Sequence, residues 1–267
     1  MGATPLALAL AAAFLHALWN LLLRGRADTQ AASAAALVIG VLALVPIAAF
    51  TWDVHSSAWP YVVGSGALEL AYLVMLAAAY GRFELSVVYP VARGLAPVWA
   101  LVFAVVVVSA SPSAAEVAGV LVVALGILFV RGAGGSRGAA LGVVIAAAIG
   151  GYTVVDRYGI RHADAVSYLL LVLLGPALVY PSLVGLARMC RALSIQTVLV
   201  GVLSMAAYVL VLLALRRASA PSVSAVRETS VVIATVLAAV FLRDRVTPWR
   251  FVGAALVAAG VALLAVG

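Results

Sequence analysis

The sequence predicts an all-α integral membrane protein, with ten transmembrane helices arranged as two inverted five-helix repeats. Three observations predict it. First, 67% of the 267 residues are hydrophobic and only 9% are charged, whereas a soluble domain carries about 25% charged residues to face water. Second, the charges cluster at short intervals. The stretches between them run to about 20 apolar residues, the length that spans a bilayer core as helix. Third, the two halves of the chain resemble each other. A soluble enzyme, a disulfide scaffold and a coiled coil do not fit these facts. Disorder needs low hydrophobicity, and a β-barrel needs alternating strands of about ten residues, which these runs do not show.

Apolar runs between charged or turn-forming gaps place the helices at roughly 4–23, 31–50, 60–80, 86–108, 115–130, 138–156, 165–187, 195–215, 220–242 and 248–266. These spans are expected to use almost the whole chain and to leave no soluble domain. The first lacks a basic leader and is followed by Arg24 rather than a small-residue cleavage site, so it reads as a retained helix. Leu6 stands where N-myristoylation needs Ser or Thr. Trp52, Trp59 and Trp249 fall at span ends and read as interfacial anchors.

The net charge of +7 comes entirely from Arg, since Lys is absent. Most of the arginines sit singly or in pairs between apolar runs, and they form no basic face of the kind nucleic-acid binding requires. Cys190 is the only cysteine, so no intrachain disulfide and no thiolate metal site is expected.

The Gly-rich stretch 131–138 divides the chain into a first unit, 1–130, and a second, 139–267, with five spans each. Shifting 85–130 by 134 residues onto 219–264 places Arg93 on Arg227, Gly119 on Gly253 and Gly126 on Gly260. Nearby shifts place Trp19-Asn20 on Tyr152-Thr153, Arg24 on Arg157 and Tyr72 on Tyr208. Two copies of a unit with an odd number of spans must insert with opposite orientation, a common transporter design with its site near the midplane between the halves.

A charge near the bilayer centre costs at least about 2.5–3.5 kcal/mol on insertion scales, so it faces a cavity or a partner. Glu69 lies in the middle of the third span, Arg93 inside the fourth, and Arg227 and Glu228 inside the ninth. Two Glu and two Arg balance in charge, so internal pairing that merely locks helices together competes with a polar cavity. In that cavity Arg attracts anionic groups and Glu attracts cations or carries a proton. Adjacent residues point about 100° apart on a helix, so one of Arg227 and Glu228 is expected to face the cavity and the other a neighbouring helix. His16 and Asn20 share a face of the first span, with Trp19 beside them; Glu69 and Tyr72 share one on the third; Tyr152 and Asp156 share one on the sixth. His16 reads either as a proton relay or as a buried, hydrogen-bonded histidine. Pro90 and Pro97 flank Arg93 and can kink its helix. The glycine pairs Gly119/Gly126 and Gly253/Gly260 each lie on one helix face and permit close packing.

Without Lys there is no P-loop, and neither HExxH nor GxSxG occurs. No enzyme activity, metal or cofactor is therefore expected.

The segments FLHALWNLLLR at 14–24, YPVARGLAPVWAL at 89–101 and VRETSVVIATVLAAVFLRDRVTPWRFVGAALVAAGVALL at 226–264 resemble the EamA-like family of the drug/metabolite transporter superfamily. The resemblance covers essentially the whole chain. Asp244 departs from it, in FLRDR where the family often has Glu, but the acidic character is kept. The resemblance implies a secondary transporter with cytoplasmic termini and a central cavity. Carried onto this chain, the cavity candidates are His16, Trp19, Asn20, Glu69, Tyr72, Tyr89, Arg93, Tyr152, Tyr208, Arg227 and Glu228. Arg counting gives the other orientation. Residues 24, 26, 82, 131, 137, 188, 191, 243, 245 and 250 fall in odd-numbered loops, and only 157, 161, 216 and 217 in even ones. Positive-inside reasoning then puts both termini outside.

The expected function is export or exchange of a small polar metabolite across the plasma (inner) membrane by alternating access. Glu69 or Glu228 would carry a coupling proton, because low-dielectric surroundings disfavour a charged carboxyl. Arg93 or Arg227 would bind an anionic group. The expected partners are the substrate, the lipid bilayer, a coupling proton and a second copy of the chain in a homodimer. A flippase for a lipid-linked head group, a non-transporting membrane subunit and an intramembrane enzyme are the alternatives.

Overall fold

The computed structural model describes residues 1–23, 26–82, 85–131, 138–242 and 248–266; at 80–82, 85–87, 89–90, 130–131 and 238–242 it describes the backbone alone. The chain runs through α1 (Ala3–Leu23), α2 (Thr29–Thr51), a single 3-10 turn, α3 (Trp59–Arg82), α4 (Leu85–Val106), α5 (Ala114–Arg131), α6 (Ala139–Gly159) and α7 (Ala165–Val184). It continues through α8 (Leu186–Ala192), α9 (Ile195–Leu215), α10 (Ala220–Arg227), α11 (Thr229–Leu242) and α12 (Pro248–Val266). The described residues contain no strand, only an isolated bridge between Val54 and Ala163.

Polar residues in the short connections start the helices by accepting the backbone N–H groups that a first turn leaves unpaired. Asp28 caps α2 through Ala31, Asp164 caps α7, Ser194 caps α9 and Ser219 caps α10. Among the described residues, α1, α2, α3, α6, α7, α9 and α12 are long and apolar enough to cross a membrane, while α4 and α5 carry shorter apolar stretches.

Two expected spans differ from the observed elements. The ninth, 220–242, is two helices that meet at Glu228. The Glu228 N–H bonds back to the Ala225 carbonyl, and the Val231 N–H to the Glu228 carbonyl, so the ladder tightens to i−3 spacing there. Such a mid-helix break often marks a functional hinge. The seventh, 165–187, ends at Val184, because Gly185 adopts φ +98° and redirects the chain into the short α8. Only a residue without Cβ takes that conformation readily. The expected linker, 131–138, lies mostly outside the described residues.

The packing is reciprocal between the halves. Helix α1 packs on α9 as α6 packs on α3; α2 packs on α9 as α7 packs on α3; α4 packs on α6 as α10 and α11 pack on α1. Helices α5 and α12, which correspond under the 134-residue shift, pack on each other. A Cβ on Gly119 would meet Leu264 and the Gly260 carbonyl, and one on Gly126 would meet the Gly253 carbonyl and the Val257 N–H. Numbers rise along α5 as they fall along α12, so the two equivalent helices run antiparallel. Each first glycine faces the other copy's second.

Among the described residues, contacts between connections join like ends. The Met1 amino group bonds the Leu264 carbonyl at the two termini. The α2–α3 connection bonds the α6–α7 connection through His55 and Asp164. Arg216 reaches the Ile160 and Ala163 carbonyls, and Ser219 and Ser222 donate to Glu116. At the opposite end, Arg26 reaches the Ala192 carbonyl and Arg188 reaches Asp28. Large apolar side chains such as Leu42, Leu178 and Phe14 are exposed on the outside, while Glu69, Arg93, Asp156 and Glu228 are buried. That inverts the arrangement of a soluble domain.

Candidate substrate chamber

The reciprocal packing leaves a chamber of about 540 Å³ between the halves. Helix α1 supplies His16, Trp19 and Asn20, α3 supplies Glu69 and Tyr72, and α4 supplies Arg93; from the second half come Tyr152 on α6, Tyr208 on α9 and Arg227 on α10. Three pairs matched by the internal repeat therefore meet at one place: Arg93 with Arg227, Tyr72 with Tyr208, and Trp19 with Tyr152. The lining extends to Leu23, Thr29 and Gln30 at the α1–α2 connection, so the chamber reaches that end of the bundle.

Of the cavity candidates whose side chains are described, one is not in the lining. Glu228 lies behind it and pairs with Arg93 at 3.2 Å, with side chains 8% and 2% exposed for Arg93 and Glu228. The Tyr89 side chain lies outside the described residues. Glu228 is thus a partner of a lining residue, and the expected divergence of Arg227 and Glu228 is what the α10 terminus displays: Arg227 lines the chamber.

Arg93 also approaches His16 Nε2, at 3.1 Å from Nη2. A guanidinium has only donors, so Nε2 accepts, and His16 is the neutral tautomer with its proton on Nδ1. The His16 ring meets Trp19 edge-on at 4.6 Å. Asn20 donates to the His16 carbonyl at 2.8 Å. Tyr72, Tyr152 and Tyr208 follow one another at 6.5 and 6.3 Å between ring centres. Arg227 lies in electrostatic reach of Tyr152, Glu69 and Asp156.

Three residues of this region were not among the expected cavity residues. The Asp156 carboxylate is fully buried and accepts from Ser65 at 2.5 Å, Tyr168 at 3.0 Å and Tyr208 at 2.8 Å. Tyr208 also contacts Glu69 at 2.8 Å. Gly159 leaves room for the Tyr168 hydroxyl, which a Cβ there would overlap. The signal for Asp156 was its i, i+4 relation to Tyr152. Its nearness to the end of α6 hid its role, as a charge near a helix end ordinarily reaches water. Ser65 and Tyr168 carry no sequence signal of their own.

At the chamber's open end, Arg188 donates from Nε to Asp28 Oδ2 at 2.8 Å and from Nη2 to Oδ1 at 3.0 Å. These bonds hold the Asp28 carboxyl below its ordinary value and push the Arg188 guanidinium up.

Apolar outer faces, a buried polar chamber and two related halves define a multi-pass membrane protein of transporter type. The model of the EamA-like transporter family matches residues 3–132 and again 136–266. The chain belongs to that family, and its two halves are its two copies of the family's unit. A crystal structure described only as that of a protein is similar in fold, with a TM-score of 0.77 at 18% identity over 100% of this chain and 98% of the other. Among curated proteins no match is found.

Proposed function

We propose that this protein is a secondary transporter, an exporter or exchanger, that carries a small polar metabolite across the plasma membrane by alternating access. The observation that carries the proposal is Arg227. Arg93 is neutralised by Glu228, as a purely structural role would have it, but Arg227 faces the chamber and has no carboxylate within ion-pair distance among the described residues. A cation held beside tyrosine rings in a chamber of about 540 Å³ suits the anionic group of a small molecule, since small-molecule sites occupy about 300–1,000 Å³.

The ten-span inverted reading has two supports. Among the described residues, connections bond to connections of the same end, as they must if each span crosses once and α10–α11 count as one. The equivalent helices α5 and α12 run antiparallel, as two copies related by an axis in the membrane plane would. Units 1–130 and 139–267 would then rock about the α5–α12 glycine contact, with the α10–α11 break as a hinge.

The test is uptake into proteoliposomes from fractionated metabolite pools, with and without a pH gradient. Saturable accumulation that requires the protein supports the proposal. No accumulation from any pool, under either condition, removes it. Labelling of cysteines placed at 26–28 in intact cells distinguishes the two orientations.

A further inference from the structure

We propose that Glu69, Tyr208 and Asp156 form one proton-binding unit, in which Glu69 holds the proton and opens it to the chamber. The coupling role of this proton rests on the transporter reading above; the proton itself does not.

At Tyr208 one hydroxyl hydrogen faces two carboxyl groups. The Tyr208 hydroxyl lies 2.8 Å from Glu69 Oε1 and 2.8 Å from Asp156 Oδ2. A tyrosine hydroxyl carries one hydrogen, whereas an ionised carboxylate only accepts. Both contacts are hydrogen bonds only if one carboxyl is protonated. With both ionised, a lone pair of Tyr208 would face a carboxylate lone pair inside the protein, at short range and low dielectric.

The neighbours decide which carboxyl holds it. Asp156 has two further donors, Ser65 on α3 and Tyr168 on α7, both on Oδ1. With Tyr208 that makes three donors, which favour the ionised form of Asp156. For Glu69, Tyr208 is the hydrogen-bond partner among the described residues. The chain of donation therefore runs from the Glu69 carboxyl to Tyr208 and from Tyr208 to Asp156.

Charge balance agrees. The groups that face the unit are Arg227 on α10 and Arg93 on α4 with its partner Glu228, while Tyr152 on α6 and His16 on α1 are neutral. Two Arg balance Glu228 and Asp156 when Glu69 is protonated; loss of that proton leaves the interior one negative charge in excess. Glu69 lines the chamber and Asp156 does not, so the proton leaves and returns through Glu69. An anion bound at Arg227 would remove the attraction that Arg227 exerts on an ionised Glu69. It would favour the protonated form and so link substrate and proton.

The two repeats show why a duplication did not supply this unit twice. Under the shifts that match Tyr72 to Tyr208 and Trp19 to Tyr152, Glu69 corresponds to Met205 and Asp156 to Leu23. The unit is built where the two halves differ.

The test is infrared difference spectroscopy of the purified protein in lipid nanodiscs, titrated with acid and base alone. The expected result is a protonated-carboxyl stretch near neutral pH that disappears in Glu69→Gln. In Tyr208→Phe, which keeps both carboxyls, the band should persist at a shifted frequency. That second variant keeps the test decisive where Glu69→Gln fails to fold. The proposal is overturned by no such band in the wild-type protein, by a band unchanged in Glu69→Gln, or by a band at the same frequency in Tyr208→Phe. A Glu69 band in a protein that accumulates no metabolite would keep the proton unit and lose the transporter reading. Accumulation without the band would do the reverse.

Discussion

Arg93 on α4 and Glu228 at the end of α10 meet at 3.2 Å with both side chains buried, and so tie the first repeat to the second across the interior. Removing one partner of such a pair strands a charge, which costs about 3–5 kcal/mol. Arg93→Ala and Glu228→Ala should each lower the unfolding temperature in detergent markedly. The double variant should be less destabilised than the sum of the two. An additive double-mutant cycle would show that the pair does not hold the repeats together.

Arg227 is predicted to behave differently. It lines the chamber, and no carboxylate lies within ion-pair distance of it among the described residues. Arg227→Ala should therefore lower the unfolding temperature less than Arg93→Ala does. It should weaken substrate binding about tenfold or more, since a charge-assisted contact contributes about 1.5–3 kcal/mol. Thermal-shift titration with the metabolite that the uptake assay returns checks both halves of this statement.

The α5–α12 crossing leaves no room for a side chain at Gly126. A Cβ there would come within 2.8 Å of the Gly253 carbonyl and of the Val257 N–H, both backbone atoms. Gly126→Val should destabilise the protein by about 1–3 kcal/mol or more, as overpacking does. Gly175, whose Cβ would meet nothing within 4 Å, is the control, and Gly175→Ala should leave the unfolding temperature near wild type.

The Arg188–Asp28 clamp sits at the surface and gives a pH-dependent contribution of predictable sign. Its carboxyl titrates below the ordinary 3.8 because Arg188 donates to it. The contribution is therefore present in full above that value and disappears as pH falls through the lowered one. Asp28→Asn should narrow the difference in unfolding temperature between neutral and strongly acidic solution. Exposure keeps this effect small.

Much of this was legible beforehand. Long apolar runs made the helices readable, because a bilayer leaves the backbone no other partner. The few charges inside them marked the chamber, because each must face a cavity or a counter-charge. What remained hidden depends on distant residues. The break at Glu228 follows from local i−3 bonding beside a buried ion pair whose partner is on another helix. The role of Asp156 depends on three hydroxyls from α3, α7 and α9, and no spacing along one helix reveals them. Gly185 turns the chain through a backbone conformation that an apolar run does not announce.

Alternating access requires the chamber to open to the two sides in turn. Ser33 and Ser204 line it, and Cys190 is the only native cysteine. In a Cys190→Ser background, Ser33→Cys and Ser204→Cys should react with a membrane-impermeant maleimide supplied on either side of sealed proteoliposomes. Supplied transport substrate should slow both reactions. Labelling from one side only, whatever the substrate or pH gradient, would contradict alternating access and leave a membrane protein with a one-sided vestibule.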